Sequence, residues 1–187
     1  LVHERNREWR PEGVAMTLTH VVVKACAVAL REHPRINARL EGDSIILLAD
    51  VNIGIAAEVE AGLMVPVVRN VDKLSLKRLA QVVRELSAKA KSDSFTPDDV
   101  AGGTFTVTTL GAVGIDAFTP IIKPPQAAIL GIGRLRDVAV FDGPDVVRGR
   151  SVVLSLSFDH RVNDGAPAAR FLGRIADLLA APEGLLS

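Results

Sequence analysis

Aromatic side chains are scarce in this chain: 187 residues include no tyrosine, one tryptophan and six phenylalanines. With few platforms for base stacking, and 22 basic against 22 acidic side chains, nothing in the composition points to nucleic acid. Cysteine occurs once, so no intramolecular disulfide can form, and no Cys/His group has zinc-ligand spacing. Cys26 lies in an apolar helical run and is expected to be buried and inert; a lone thiol fits a reducing compartment. No apolar run approaches the roughly 20 residues of a membrane span. The opening residues, Leu1-Val2-His3-Glu4-Arg5, do not read as a signal peptide, and the lack of an initiator Met leads us to expect a fragment of a longer chain.

What is present is a globular composition, 48% hydrophobic and 24% charged, in a length that suits one domain with a sizeable core. Residues 1–14 are polar apart from Trp9 and read as a helix tail with a loop at Pro11-Glu12-Gly13. Thr17 then caps a helix in which Leu18, Val21, Val22, Ala25, Val28 and Ala29 recur at helical spacing. Val23, Cys26, Ala27 and Leu30 fill much of the remaining circumference, so this helix is expected to be buried on most sides until it ends near His33-Pro34. Strands are predicted over 44–49, 52–59 and 63–69, the last two joined as a hairpin through Glu60-Ala61-Gly62. Ser75 caps an amphipathic helix, and a short helical turn follows at Pro97-Asp98-Asp99. Further strands are predicted over 104–109, 127–133, 138–141 and 146–158, before a last helix carrying Ala168, Phe171, Ile175 and Leu178. There is no repeat and no regular βαβ alternation, which predicts an α+β sandwich with a largely mixed sheet.

The chemistry concentrates in one stretch. Val152, Leu154, Leu156 and Phe158 alternate with Ser151, Val153, Ser155 and Ser157, and this strand pattern runs on toward His160, on its apolar side. Asp164 follows four residues later, at a helix start. A neutral imidazole can act as a base near pH 7, because its unperturbed pKa is about 6.5. Asp164 can orient it, or lock its loop through an ion pair with an arginine. The plain alternatives are a hydrogen-bonded core histidine and a helix N-cap at Asp164. Pro167, at N3, weakens the second because it has no N–H to donate. Gly131-Ile132-Gly133 lacks a third glycine and a following helix start, which argues against a dinucleotide site.

Asp159-His160-Arg161, with Asp164-Gly165-Ala166, resembles the DHRxxDGA signature of dihydrolipoamide acyltransferases, the core components of 2-oxo acid dehydrogenase complexes. Asn163 departs from the pattern, standing where that family more often has an apolar residue. Other segments resemble the family in order: 52–56, 62–70, 102–111 (GGTFTxSNLG in the family) and 124–131 (NPPQAAILG). The match runs from about Thr17 to the C-terminus, and on it the chain is identified as a member of that family.

The resemblance implies a chloramphenicol acetyltransferase-like two-layer α+β sandwich with a mixed sheet. It implies that residues 1–187 are one catalytic domain, N-terminally truncated, without the lipoyl and peripheral-subunit-binding domains. Asp72-Lys73 precedes a capped helix and has no lipoyl-domain context. The implied activity is acyl transfer between a dihydrolipoyl thiol and coenzyme A. A thiol is only a few per cent thiolate at pH 7, and a positioned base is worth about 10²–10⁴ in rate. His160 is implied in that role. The tetrahedral oxyanion needs a donor, worth about 10²–10³. The family's Ser or Thr hydroxyl falls on Thr108, which read alone is a β-branched strand residue whose methyl restricts χ1. Coenzyme A contacts are implied at Thr17, Glu58, Thr108 and Thr109, with Glu58 replacing the family's Asp. The implied catalytic unit is a homotrimer, with His160 from one subunit and Thr108 from its neighbour, assembled into a cubic or dodecahedral core. The acyl-lipoyl arm enters from outside and coenzyme A from inside, and an isolated monomer would be almost inactive. The other implied partners are lipoyl domains and, through upstream domains, the decarboxylase and dihydrolipoamide dehydrogenase. The expected location is the bacterial cytoplasm or the mitochondrial matrix, with no nucleic acid or membrane partner.

Two other classes compete. A scaffold whose chemistry is lost is opposed by the intact His160, Asp164 and Thr108. A Ser-His-Asp hydrolase is opposed by the lack of a Gly-x-Ser-x-Gly elbow, since Ser155 and Ser157 lie within a strand. The acyl group is expected to be acetyl or branched-chain rather than succinyl, because no basic cluster is assigned to a second carboxylate.

Overall fold

The computed structural model describes residues 2–59 and 62–185. Helix α1 (Val2–Trp9) and a 3-10 turn at Arg10–Glu12 open the chain, with Trp9 buried. The Asn6 amide secures this segment: it donates to the Met16 carbonyl at 2.8 Å and accepts the Met16 N–H at 2.7 Å. Helix α2 (Leu18–Glu32) follows, and Val22, Val23, Ala25, Cys26, Ala27 and Ala29 on it are wholly buried. An apolar circumference leaves such a helix no stable place but the core. Its one buried lysine, Lys24, donates to the Leu74 and Asp72 carbonyls at 2.6 and 3.2 Å. Burial lowers the Lys24 pKa, and the Asp72 charge works the other way. Burial pushes the Cys26 thiol up, away from thiolate chemistry.

Strands β1 (Ala38–Glu41) and β2 (Ser44–Leu47) form an antiparallel hairpin. β1 had no prediction, because Ala38-Arg39-Leu40-Glu41 is short and half charged; pairing with β2 makes it a strand. The stretch predicted as one strand over 52–59 divides into β3 (Ile53–Ile55) and β4 (Ala57–Val59). Likewise 63–69 divides into β5 (Gly62–Met64) and β6 (Val67–Val68), with Pro66, which has no N–H for a ladder, at the break. β4 and β5 pair antiparallel; the predicted link residues Glu60 and Ala61 lie outside the described residues. Helix α3 (Leu76–Lys91) starts at the predicted cap, with Ser75 Oγ accepting the Arg78 N–H at 3.3 Å. A short helix α4 (Pro97–Val100) leads to β7 (Phe105–Thr109) and, after a long loop, β8 (Ala128–Ile132).

The predicted strand 146–158 is two strands with different partners. β9 (Arg136–Asp142) and β10 (Asp145–Ser151) form a ribbon of their own, whereas β11 (Leu154–Phe158) enters the main sheet. Strand-like composition does not name a partner, so the two read as one run in sequence. Helix α5 (Gly165–Ala180) follows, and a 3-10 turn at Pro182–Leu185 buries Leu185 in the core.

The main sheet has five strands in the order β11-β8-β7-β3-β6, with β7 parallel to β8 and β3, and antiparallel strands at both edges. One face packs on α2 and α5 through Phe105, Val107, Leu130 and Ile132, with Phe105 and Phe171 edge to face at 5.7 Å. This is a two-layer α+β sandwich with a mixed sheet. The second face carries Thr106, Thr108, Ile129, Gly131, Ser155 and Ser157. The 110–127 loop reaches across it. A side chain on Gly131 would meet the Phe118 ring at 2.9 Å, and one on Gly133 would collide with the Asp116 carbonyl.

Candidate active site

The main sheet holds the candidate residues at two ends. At one end, β11 stops at Phe158 rather than running on through His160. The Asp159 N–H donates to the Ala127 carbonyl at 2.8 Å, and the Asp159 carbonyl then accepts the N–H groups of Val162 and Asn163, each at 3.0 Å. This tight turn lifts His160 out of the strand, so it is not the core histidine of the plain alternative: its side chain is 74% exposed. The imidazole leans on Phe158, ring centroids 5.6 Å apart.

Asp164 occupies the N-cap position of α5 with extended backbone, yet among the described residues its side chain makes no capping bond. Pro167 removes one of the donors a cap would use. Asp164 Oδ1 lies 3.9 Å from His160 Nδ1, beyond a hydrogen bond but close enough to favour the N–H at that nitrogen. The anticipated arginine lock on Asp164 is absent among the described residues, and Asp159 carries one instead. Its carboxylate accepts Arg161 Nη2 at 2.7 Å, Nε at 3.0 Å and the backbone N–H at 2.9 Å. The Arg161 hydrogen bond holds the Asp159 carboxyl below its ordinary range.

Thr108 stands at the other end. It is paired with Gly131, which is paired with Ser155, while Phe158 is opposite Ala128 and His160 lies further on. About five residues along the sheet and two strand spacings across it put Thr108 and His160 on the order of 20 Å apart within one chain. Among the described residues the Thr108 hydroxyl has no hydrogen-bond partner, so it is available to a ligand. Phe118 covers Gly131 directly beside it, a neighbour with no signal in sequence except the glycine that makes room for it.

The other candidate contacts gather toward the Thr108 end with different freedom. The Thr109 hydroxyl donates to the Ile132 carbonyl at 3.2 Å and so serves the sheet end. Thr17 is engaged in a capping box: His20 Nδ1 accepts the Thr17 N–H at 2.8 Å and lies 3.0 Å from its Oγ1. Leu18, next to Thr17, shares a cavity of about 610 Å³ with Leu135, Val152 and Leu154. Glu58 is exposed on β4 and lines a cavity of about 320 Å³ with Val59, Ala90, Lys91 and Asp93. For a polyphosphate ligand such as coenzyme A, the Glu58 carboxylate can accept from a pantetheine amide but repels phosphate, whereas Lys91 attracts it. Asp93 adds a second carboxylate to that lining, so the cavity is net acidic, and the hydroxyls of Thr17 and Thr109 are engaged within the fold. Among the described residues there is no group of three or more His, Cys, Asp or Glu able to hold a metal ion, and no helix long and apolar enough to cross a membrane.

Comparison with known proteins bears on this arrangement. Residues 1–187 match the family model of the 2-oxoacid dehydrogenases acyltransferase (catalytic domain). The chain is similar to the dihydrolipoyllysine-residue acetyltransferase component of the acetoin cleaving system of Bacillus subtilis, 43% identical over 93% of this chain and 44% of that protein. It is also similar to the corresponding component of the Azotobacter vinelandii pyruvate dehydrogenase complex, 44% identical over 90% of this chain and 27% of that one. The chain thus spans less than half the length of these curated relatives. Among solved structures, the cubic core of the pyruvate dehydrogenase multienzyme complex aligns with TM-score 0.93 and 41% identity, over 98% of this chain and 76% of that one. An A. vinelandii dihydrolipoamide acetyltransferase, studied for a serine, a histidine and an asparagine in its mechanism, aligns with TM-score 0.93 and 40% identity over the same shares. Chloramphenicol acetyltransferase shares the fold, with TM-score 0.56 and 14% identity over 93% of this chain and 82% of that one.

Proposed function

The chain belongs to the 2-oxoacid dehydrogenase acyltransferase family, as a catalytic domain, and from that premise we propose that it transfers an acetyl group between a dihydrolipoyl thiol and coenzyme A at a site shared by two subunits. The observation that carries this reading is the separation of Thr108 from His160 within one chain, which a second copy can bridge and a lone chain cannot. The A. vinelandii serine, histidine and asparagine have the same mutual spacing as Thr108, His160 and Asp164 here, which supports assigning the three residues to one site. The acetyl assignment is supported by the names of the relatives and by Phe118, whose ring narrows the space beside Thr108.

In this reading His160 Nδ1 keeps its proton toward Asp164, and Nε2 takes the proton of the attacking thiol as sulfur adds to the thioester carbonyl. Thr108 donates its hydroxyl hydrogen to the developing oxyanion. When the tetrahedral centre collapses, the carbon–sulfur bond to the other thiol breaks and His160 returns the proton to the departing sulfur. The trimer joins a larger core, as in the cubic core of the similar pyruvate dehydrogenase structure. Lipoyl domains deliver the acyl arm, and the decarboxylase and dihydrolipoamide dehydrogenase are partners of the whole complex.

The test is acyl transfer to dihydrolipoamide from acetyl-, isobutyryl- and succinyl-CoA in turn, with the particle mass measured alongside. Acetyl transfer by a trimer or larger particle that fails in His160→Ala supports the proposal. A trimeric particle with no transfer, or acyl-CoA hydrolysis without a thiol acceptor, overturns it in favour of a scaffold or a hydrolase.

A further inference from the structure

The residue before Asp164 is tied to a distant segment. Asn163 is 3% exposed, and its Nδ2 donates to the Arg35 carbonyl at 2.9 Å. Arg35 answers in the opposite direction: Nη2 and Nε donate to the Val162 carbonyl at 2.8 and 3.3 Å. Each side chain thus holds the other segment's backbone. Arg35 sits in the turn after α2, where the Ile36 and Asn37 N–H groups donate to the His33 and Pro34 carbonyls at 3.0 and 3.1 Å. The segment it grips is the one that carries His160, and Val162 itself is 1% exposed in a small cluster with Ala38 and Ala127.

This clamp has a cost. Asn163 Oδ1 is buried with no partner among the described residues, and turning the amide over would set that oxygen against the Arg35 carbonyl. A buried, unpaired oxygen costs about 1–3 kcal/mol, a penalty an apolar side chain would avoid. Packing alone therefore does not explain an asparagine here, whereas fixing a loop with an exposed tip does.

We propose that Arg35 and Asn163 are positioning residues that hold the His160 loop in register for proton transfer. This rests on the reading of His160 as the base. Neither residue touches the reacting atoms; both act through the backbone of 162 and 163. A shift of about 1 Å at a catalytic group is enough to cost up to about 100-fold in rate, so loosening one half of the clamp lowers kcat by about 10-fold. KM for acetyl-CoA and for dihydrolipoamide stays within about twofold, since loosening the clamp displaces the base and removes no contact made to substrate in the ground state.

The experiment compares Arg35→Met, Arg35→Lys, Asn163→Leu and His160→Ala as assembled particles, measuring kcat, KM and Tm for each. Expected are a fall in kcat at constant KM for Arg35→Met and Asn163→Leu, partial recovery in Arg35→Lys because an ammonium still reaches the Val162 carbonyl, and an unchanged or raised Tm in Asn163→Leu despite its lower kcat. A purely structural role would lower Tm and leave the turnover of each folded site intact, and that result overturns the proposal. So does a change confined to KM. If Arg35→Met does not fold, Asn163→Leu and Arg35→Lys decide by the same criteria. Should His160→Ala keep full turnover, the base assignment fails; should it lose turnover while Asn163→Leu and Arg35→Lys keep theirs, only the clamp fails.

Discussion

Thr108 and His160 stand at opposite ends of one five-stranded sheet, with β8 between their strands. On the proposed mechanism, a base and an oxyanion donor so placed serve one reaction only across a subunit boundary. Alone, Thr108→Ala is expected to cost about 10²–10³ and His160→Ala about 10²–10⁴ in kcat. Co-expressed in equal amounts, the two inactive chains should regain activity, because random mixing gives about one site in four an intact His160 from one subunit and an intact Thr108 from the next. Activity of the mixed particle no greater than that of either parent would place both residues in one chain's site, contrary to the proposal.

Asp164 supplies a second test, because its position and its bonding disagree. It sits where a helix cap would, 84% exposed and without a capping bond among the described residues. Asp164→Ala should therefore shift stability by no more than about 0.5 kcal/mol. Its carboxylate favours the productive tautomer of His160, so kcat should fall by about 10-fold, and Asp164→Asn, which keeps an acceptor, should recover most of it. A large loss of Tm in Asp164→Ala would restore the capping role and remove the orienting one.

These two residues show what was legible in the sequence. Their identity and spacing could be read, but not the turn that takes His160 out of the strand, because that turn is made by backbone donors at Val162 and Asn163 converging on the Asp159 carbonyl. The buried circumference of α2 and the caps at Thr17 and Ser75 could be read from local pattern, since caps and apolar periodicity are local physics. Partner choice could not. The β9–β10 ribbon reads as strand without showing that it pairs only with itself, and β1 becomes a strand only through β2. Arg35 and Phe118 carried no local signal, because each acts on residues far away in sequence: Arg35 on Val162, and Phe118 on the space over Gly131.

Phe118 leads to a specificity prediction. Its ring fills the space over Gly131, next to Thr108, on the sheet face turned away from the helices. An acyl chain longer than acetyl must compete with that ring. Phe118→Ala should raise the kcat/KM ratio of isobutyryl-CoA to acetyl-CoA by about 10-fold or more, in line with pocket discrimination of one or two methylenes. The ratio is read from parallel transfer assays with dihydrolipoamide. No change would show that the acyl group is bounded elsewhere, and a fall for both donors would assign Phe118 to loop packing.

His20 gives the chain a predictable acid response. Burial lowers its pKa to about 4 from an ordinary value near 6.5, and the ring nitrogen that would be protonated is already accepting the Thr17 N–H. Between those two values the unfolded chain binds a proton that the folded chain does not, so stability rises with pH across the interval. The contribution is whole above about pH 6.5 and is lost as pH falls toward about 4, by a total of about 3 kcal/mol. Protonation also breaks the capping box at the start of α2, the helix on which the core is built. His20→Gln keeps an acceptor for the Thr17 N–H but does not titrate, so urea-unfolding free energies for that variant should be nearly flat over the same window. Asp99 provides an internal contrast. The Lys89 hydrogen bond holds its carboxyl at about 2, so its share of stability is present above the ordinary carboxylate pKa and fades only below about pH 4. Stability of the unmutated protein that stays level from about pH 6.5 to about 4 and drops only beneath it would assign the acid response to Asp99 and the other paired carboxylates, and would count against a neutral, buried His20.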